Sequence, residues 1–152
     1  MNAMPYVSFH DFFPKVAEKE TRTFRVLDGK ALEYSLPPDE YGLLEMFCGE
    51  KGCDCRRVLF SVISRRQSKI LAVIAYGWEE RAFYARWMRS STPEDIDLLK
   101  GPCLNLASEQ SVLAPAILRM VELVLEDEMY VERLKRHYGM FKRRIEGRRG
   151  KT

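Results

Sequence analysis

Between Thr21 and Met88 the apolar positions recur mostly at every second residue, the period of a strand with one face in a core. Thr21–Val26 alternates, and Asp28-Gly29 is a two-residue hairpin signal with Leu32, Tyr34 and Leu36 alternating beyond it. Pro37-Pro38 ends that run. Four more strands are expected at Tyr41–Cys48, Arg56–Ser64, Ile70–Trp78 and Arg81–Met88, joined by gaps short enough for hairpins. Ahead of them, residues 6–20 place Phe9, Phe12, Phe13 and Val16 before Glu18-Lys19-Glu20, which suits a short helix or an ordered arm lying on the body.

After Met88 the period lengthens. Thr92-Pro93-Glu94-Asp95 combines an N-cap hydroxyl, proline at the first helical position and acids in the first turn, and Gly101-Pro102 stops that helix. A second helix is expected over Val112–Glu126, with Ile117, Met120, Val121, Val124 and Leu125 as its apolar stripe. A third runs over Asp127–Ile145, with Val131, Leu134, Tyr138, Phe141 and Ile145 at spacings of three and four. Strands first and helices afterwards predict an α+β fold, an antiparallel β-meander of five or six strands followed by three helices. No repeat or linker divides residues 1–152, so a single domain is expected, with residues 1–5 and 147–152 flexible at its ends.

Composition keeps this picture and adds a compartment. With 46 % apolar and 11 % aromatic residues the chain can build a core. No apolar run approaches the ~20 residues of a membrane span. The first residues lack the basic and apolar regions of a secretory signal, so a cytoplasmic protein with reduced thiols is expected. Charge is uneven. Nine Lys/Arg against Glu146 give residues 133–152 a surplus of eight, which leaves the remainder at −5 of the total +3. An acidic body with a basic tail points to an electrostatic role for the tail.

The candidate chemistry sits at Cys48-Gly-Glu-Lys-Gly-Cys53-Asp-Cys55, three of the four cysteines between two strands. Gly49 and Gly52 allow the bend that turns several sulfurs inward, and Cys53 and Cys55 are spaced to share a side. Three thiolates are three of the four ligands of a tetrahedral zinc site. The fourth is open between His137, His10, Cys103, Asp54 and water. A histidine is favoured, because only two exist and neither has another evident role; His137 is taken. A protein ligand closing the tetrahedron makes the site structural, and bound water makes it catalytic.

Two functions are consistent with this. The first is a cytoplasmic zinc-binding domain without enzymatic activity, acting as an interaction module for a protein or nucleic acid. Arg143, Arg144, Arg148 and Arg149 are then the candidate phosphate contacts. The alternative is a small metalloenzyme or thiol oxidoreductase working through Cys48, Cys53 and Cys55, with Arg56 and Arg57 lowering a thiol pKa. Tyr76, Trp78, Tyr84 and Trp87, expected on adjacent strands, read as core before they read as a stacking platform. The sequence has no P-loop, dinucleotide glycine motif, His-Glu-x-x-His or nucleophile elbow.

Overall fold

The computed structural model describes residues 6–89 and 92–150, without the side chains of 148–150. Its order is β1 (Tyr6–Ser8), α1 (Phe9–Phe12), α2 (Pro14–Glu20), β2 (Thr23–Val26), α3 (Ala31–Tyr34), β3 (Asp39–Cys48), β4 (Arg57–Ser64) and β5 (Lys69–Gly77). Then follow α4 (Arg81–Met88), α5 (Pro93–Lys100), β6 (Cys103–Leu104), α6 (Ala114–Val124) and α7 (Glu128–Gly150). The class is α+β, and the six strands form one antiparallel sheet. The helices are interspersed among the strands instead of following them, and there are more than three.

Two expected strands are helices. Beyond Asp28–Lys30, a 3-10 turn, residues Ala31–Tyr34 form α3. Leu32 stands 98 % exposed while Leu36 is buried, so Leu32, Tyr34 and Leu36 do not share one buried face. Arg81–Met88 is α4, built from good helix formers around one buried ring, Tyr84. Tyr84 and Trp87 are therefore on a helix, apart from Tyr76 on β5. Tyr84 packs so close to β5 that a Cβ on Gly77 would collide with its ring. The expected helices after residue 92 are present, and α7 continues through residues 147–150; residues 1–5, 151 and 152 lie outside the described residues.

The core lies on one face of the β3–β4–β5 meander. Tyr41, Leu43 and Phe47 of β3, with Val58, Phe60 and Val62 of β4, are buried at alternate positions. Helix α7 covers them, Phe141 against Phe47 and Tyr130 against Phe60. Fully burying each such side chain contributes about 1.5–3 kcal/mol.

Both sheet edges are unusual. Strands β1 and β2 share the outer edge of β3, with Ser8 opposite Met46 and Thr23 opposite Gly42. Thr23 follows Ser8 by fifteen positions, yet Met46 follows Gly42 by only four. Eleven residues are thus looped out of what is otherwise one edge strand, and they fold as α1 and α2 over Leu44 and Glu45. At the opposite edge β6 pairs with only two residues of β5. The Gln110 side chain takes over there, accepting from Val73 N–H and donating to Val73 C=O at 2.9 Å each. That closure removes a row of backbone groups open to strand addition.

Candidate metal centre

The loop between β3 and β4 is shaped by two backbone features. Cys53 N–H donates to Glu50 C=O at 3.3 Å, and Gly52 occupies the third position of that turn at φ 80°, where a side chain would be strained. Arg56 also has a left-handed φ of 52°. It is held there from both sides: its N–H donates to Tyr138 Oη (3.1 Å), and its C=O accepts from Tyr84 Oη (2.8 Å). Its guanidinium pairs with Asp54 at 2.8 Å and lies over the Phe83 ring.

Helix α7 fastens the loop through residues spaced by four, which share one helix face. Tyr138 donates to Asp54 (3.2 Å), Lys142 to Glu50 C=O (3.1 Å), and Glu146 accepts from Gly52 N–H (2.6 Å). Within this frame the sulfurs of Cys48 and Cys53 and a carboxylate oxygen of Glu50 lie within 4.8 Å of one another. Cys48 and Cys55 are buried and Cys53 is half-buried. All four cysteines are free thiols.

The three thiols shift one another. Hydrogen bonding from Cys55 leads the effects that pull Cys48 down to about 6, against the cost of burial; Lys142 adds to it. Burial, then the charge on Cys48, pushes Cys53 up, and hydrogen bonding to Cys48 together with burial pushes Cys55 far up. The cluster therefore releases one proton readily and holds the others, because further thiolates would repel. Two sulfurs with one nearby carboxylate are ligand types that zinc sites take, and Cys55, hydrogen-bonded to Cys48, stands beside them. Close by, burial pushes Tyr6 up to about 12, and Arg57 hydrogen-bonds it at 3.1 Å.

The structure brings Cys48, Cys53 and Cys55 into one loop but does not bring His137 to them. Residue 137 is rotated by about 100° from Tyr138 on the helix and so faces the sheet instead of the loop. Both ring nitrogens are engaged there, Nδ1 with Glu45 Oε1 at 2.6 Å and Nε2 with Glu20 Oε1 at 2.7 Å. Phe9 stacks on the imidazole at 4.3 Å. His137 does have another role, and this corrects its assignment as fourth ligand.

The other candidates also lie elsewhere. The Cys103 thiol points to Leu98 C=O at 3.6 Å, and His10 is exposed on α1. Asp54 is occupied by Arg56 and Tyr138. Glu50, inside the motif itself, stands in the group with Cys48 and Cys53, although the sequence expectation took Asp54 as the local carboxylate.

The basic end of α7 divides. Arg143 is exposed, whereas Arg144 donates to Phe12 C=O at 3.3 Å and lies over the Phe12 ring, fastening the N-terminal segment. The side chains of Arg148 and Arg149 lie outside the described residues. Among the described residues no helix is long and apolar enough to cross a membrane. The chain matches no known family model, and neither a curated protein nor a solved structure is similar enough to count as a match.

Proposed function

We propose that this chain is a small zinc-binding interaction module without catalytic activity, its metal held by Cys48, Cys53 and Cys55 with Glu50 as the fourth donor. The observation that carries this is the convergence of two sulfurs and the Glu50 carboxylate within 4.8 Å, beside the third thiol. The metal ties the β3–β4 loop to the sheet while α7 holds it from outside. The basic end of α7, led by Arg143, is then the surface offered to a nucleic acid or an acidic protein. A compartment that keeps thiols reduced, such as the cytoplasm, suits this chemistry.

Zinc competition against a chromophoric chelator tests the ligand set. Losing a ligand should cost more than the 10–100-fold known for outer-shell partners. We therefore expect Cys53→Ser, Cys55→Ser and Glu50→Gln each to weaken zinc by over about a hundredfold. Wild-type affinity in Cys55→Ser and Glu50→Gln would retire this ligand set. For the partner surface, single-stranded DNA binding should fall steeply with salt, and Arg143→Gln should flatten that slope. No salt dependence would leave an acidic protein as the partner.

One observation favours the second reading, a thiol oxidoreductase: the lowered pKa of Cys48, beside a second thiol. Against it, Cys48 and Cys55 are both buried. A disulfide substrate has no approach to either sulfur, whereas a bare ion can enter with the loop.

A further inference from the structure

The sheet face turned away from α7 carries a charge that the fold leaves unanswered. Val58, Phe60 and Val62 of β4 point into the core, so strand alternation sends Arg57 to the opposite face. There its Nε donates to Leu99 C=O on α5 at 2.7 Å, and Nη1 donates to Tyr6 Oη at 3.1 Å. Both acceptors are uncharged, a phenol being neutral at neutral pH. Arg57 is only 8 % exposed, and among the described residues no carboxylate pairs with it. Acids on neighbouring segments are engaged elsewhere: Asp97 pairs with Arg81, and Glu79 and Asp54 pair with Arg56.

A cavity of about 300 Å³ lies against this charge, with Arg57 in its lining and Leu98, Leu99, Leu104 and Leu106 as apolar walls. Cys103 belongs to the same lining. Burial pushes the Cys103 thiol up, and the Arg57 charge, next in weight, pulls it down, so the guanidinium stands near that wall. Two of the five guanidinium N–H donors are spent on Leu99 and Tyr6, and three remain. Buried charges are ordinarily paired, because an unpaired one is costly to take out of water. Asp95, the carboxylate of the lining, is exposed and forms no ion pair with Arg57 among the described residues.

We propose that this cavity binds a small monocarboxylate with a short apolar chain, its carboxylate held by Arg57 and its chain by the leucines. The guanidinium fork matches the two oxygens of a carboxylate, and one carboxylate cancels one cation. A dianion would bring surplus negative charge towards Asp95. The volume is at the lower end of the ~300–1,000 Å³ of ligand pockets, which suits a short chain. The site does not depend on a metal in the thiol loop.

Hexanoate, hexan-1-ol and hexylamine are the probes, titrated into the full chain while the Met88 and Leu104 methyl signals, both from the lining, are followed by NMR. Hexanoate should shift both signals saturably. Hexan-1-ol, lacking the charge, should bind at least about tenfold more weakly, the worth of one charge-assisted hydrogen bond. Hexylammonium should not bind. Arg57→Gln should remove the preference for hexanoate over the alcohol. Should that variant fail to fold, Ala107→Trp decides: Ala107 is an exposed residue of the lining, and an indole there should block the cavity and abolish the hexanoate response. The proposal is overturned if hexanoate does not saturate, if the alcohol binds equally well, if the ammonium binds best, or if hexanoate binding is unchanged in a folded Arg57→Gln or Ala107→Trp variant.

Discussion

Two polar clusters hang from adjacent residues of α7, and they could hardly be organised more differently. On the His137 side, opposite charges meet: an imidazole lies between two carboxylates with a phenyl ring stacked on it. On the Tyr138 side, three thiols of one chemical kind face one another beside a carboxylate. The first cluster answers its charges from within, and a cation would displace a hydrogen bond at either nitrogen. In the second, Lys142 is the nearby positive charge, acting on Cys48 and Cys53, while the thiols shift one another. One residue of helical rotation separates a self-neutralised pair from the thiol cluster.

The sharpest way to break that comparison is His137→Ala. Removing the ring strands Glu45, whose side chain is 4 % exposed, and should lower the unfolding free energy by about 3–5 kcal/mol in urea denaturation. Replacing both partners, as Glu45→Leu with His137→Leu, should recover most of that loss, since no charge is left stranded. If the double variant is as unstable as the single, the carboxylate was not what made the imidazole necessary.

Metal removal comes next. With zinc at a few hundred times its dissociation constant, a chelator should lower stability by about 3 kcal/mol, measured as a fall in Tm. The same chelator should not change the Tm of a Cys48→Ser variant, and an equal fall there would point to zinc held elsewhere. A smaller effect is expected from Gly77→Ala, about 1–3 kcal/mol, because the new methyl meets the buried Tyr84 ring. That ring donates to Arg56 C=O, so the variant should also loosen the loop, read as faster amide exchange at Cys53.

The gentlest perturbation is pH. Although burial opposes its charge, Glu45 and then Glu20 push the His137 pKa above 6.5. Burial pushes Glu45 up, with Glu20 adding to it and His137 and Arg133 opposing, while His137 and Arg136 hold Glu20 down. A raised histidine pKa contributes stability that is complete below pH 6.5 and lost as pH rises through the folded value. Stability should therefore decline on the alkaline side of pH 6.5, and His137→Phe should remove that slope. An unchanged slope in His137→Phe would assign it to another group.

The contrast between the clusters also explains what the sequence could disclose. The thiol motif was visible because its ligands are close along the chain, so spacing and glycines were enough to expose it. The Glu20–His137–Glu45 cluster joins residues over 90 apart in sequence, and only tertiary packing unites them. A trace existed: Glu45 falls on the alternation of Tyr41, Leu43 and Phe47, a charged residue on a buried face. The meander and the last helix were legible because their periods run for many residues. The Arg81–Met88 segment was not, because eight residues with a single buried ring carry almost no period, and aromatic content alone favoured a strand. The turn at Asp28-Gly29 misled for a related reason, since a dipeptide that suits a hairpin also suits the first turn of a short helix.

The most direct measurement is elemental mass spectrometry of the chain purified without chelator, paired with a count of reactive thiols before and after a chelator is added. Zinc at about one per chain, with the loop thiols shielded until chelation, is the result expected if Cys48, Cys53, Cys55 and Glu50 hold the metal. A metal-free chain whose loop thiols react from the outset would contradict it.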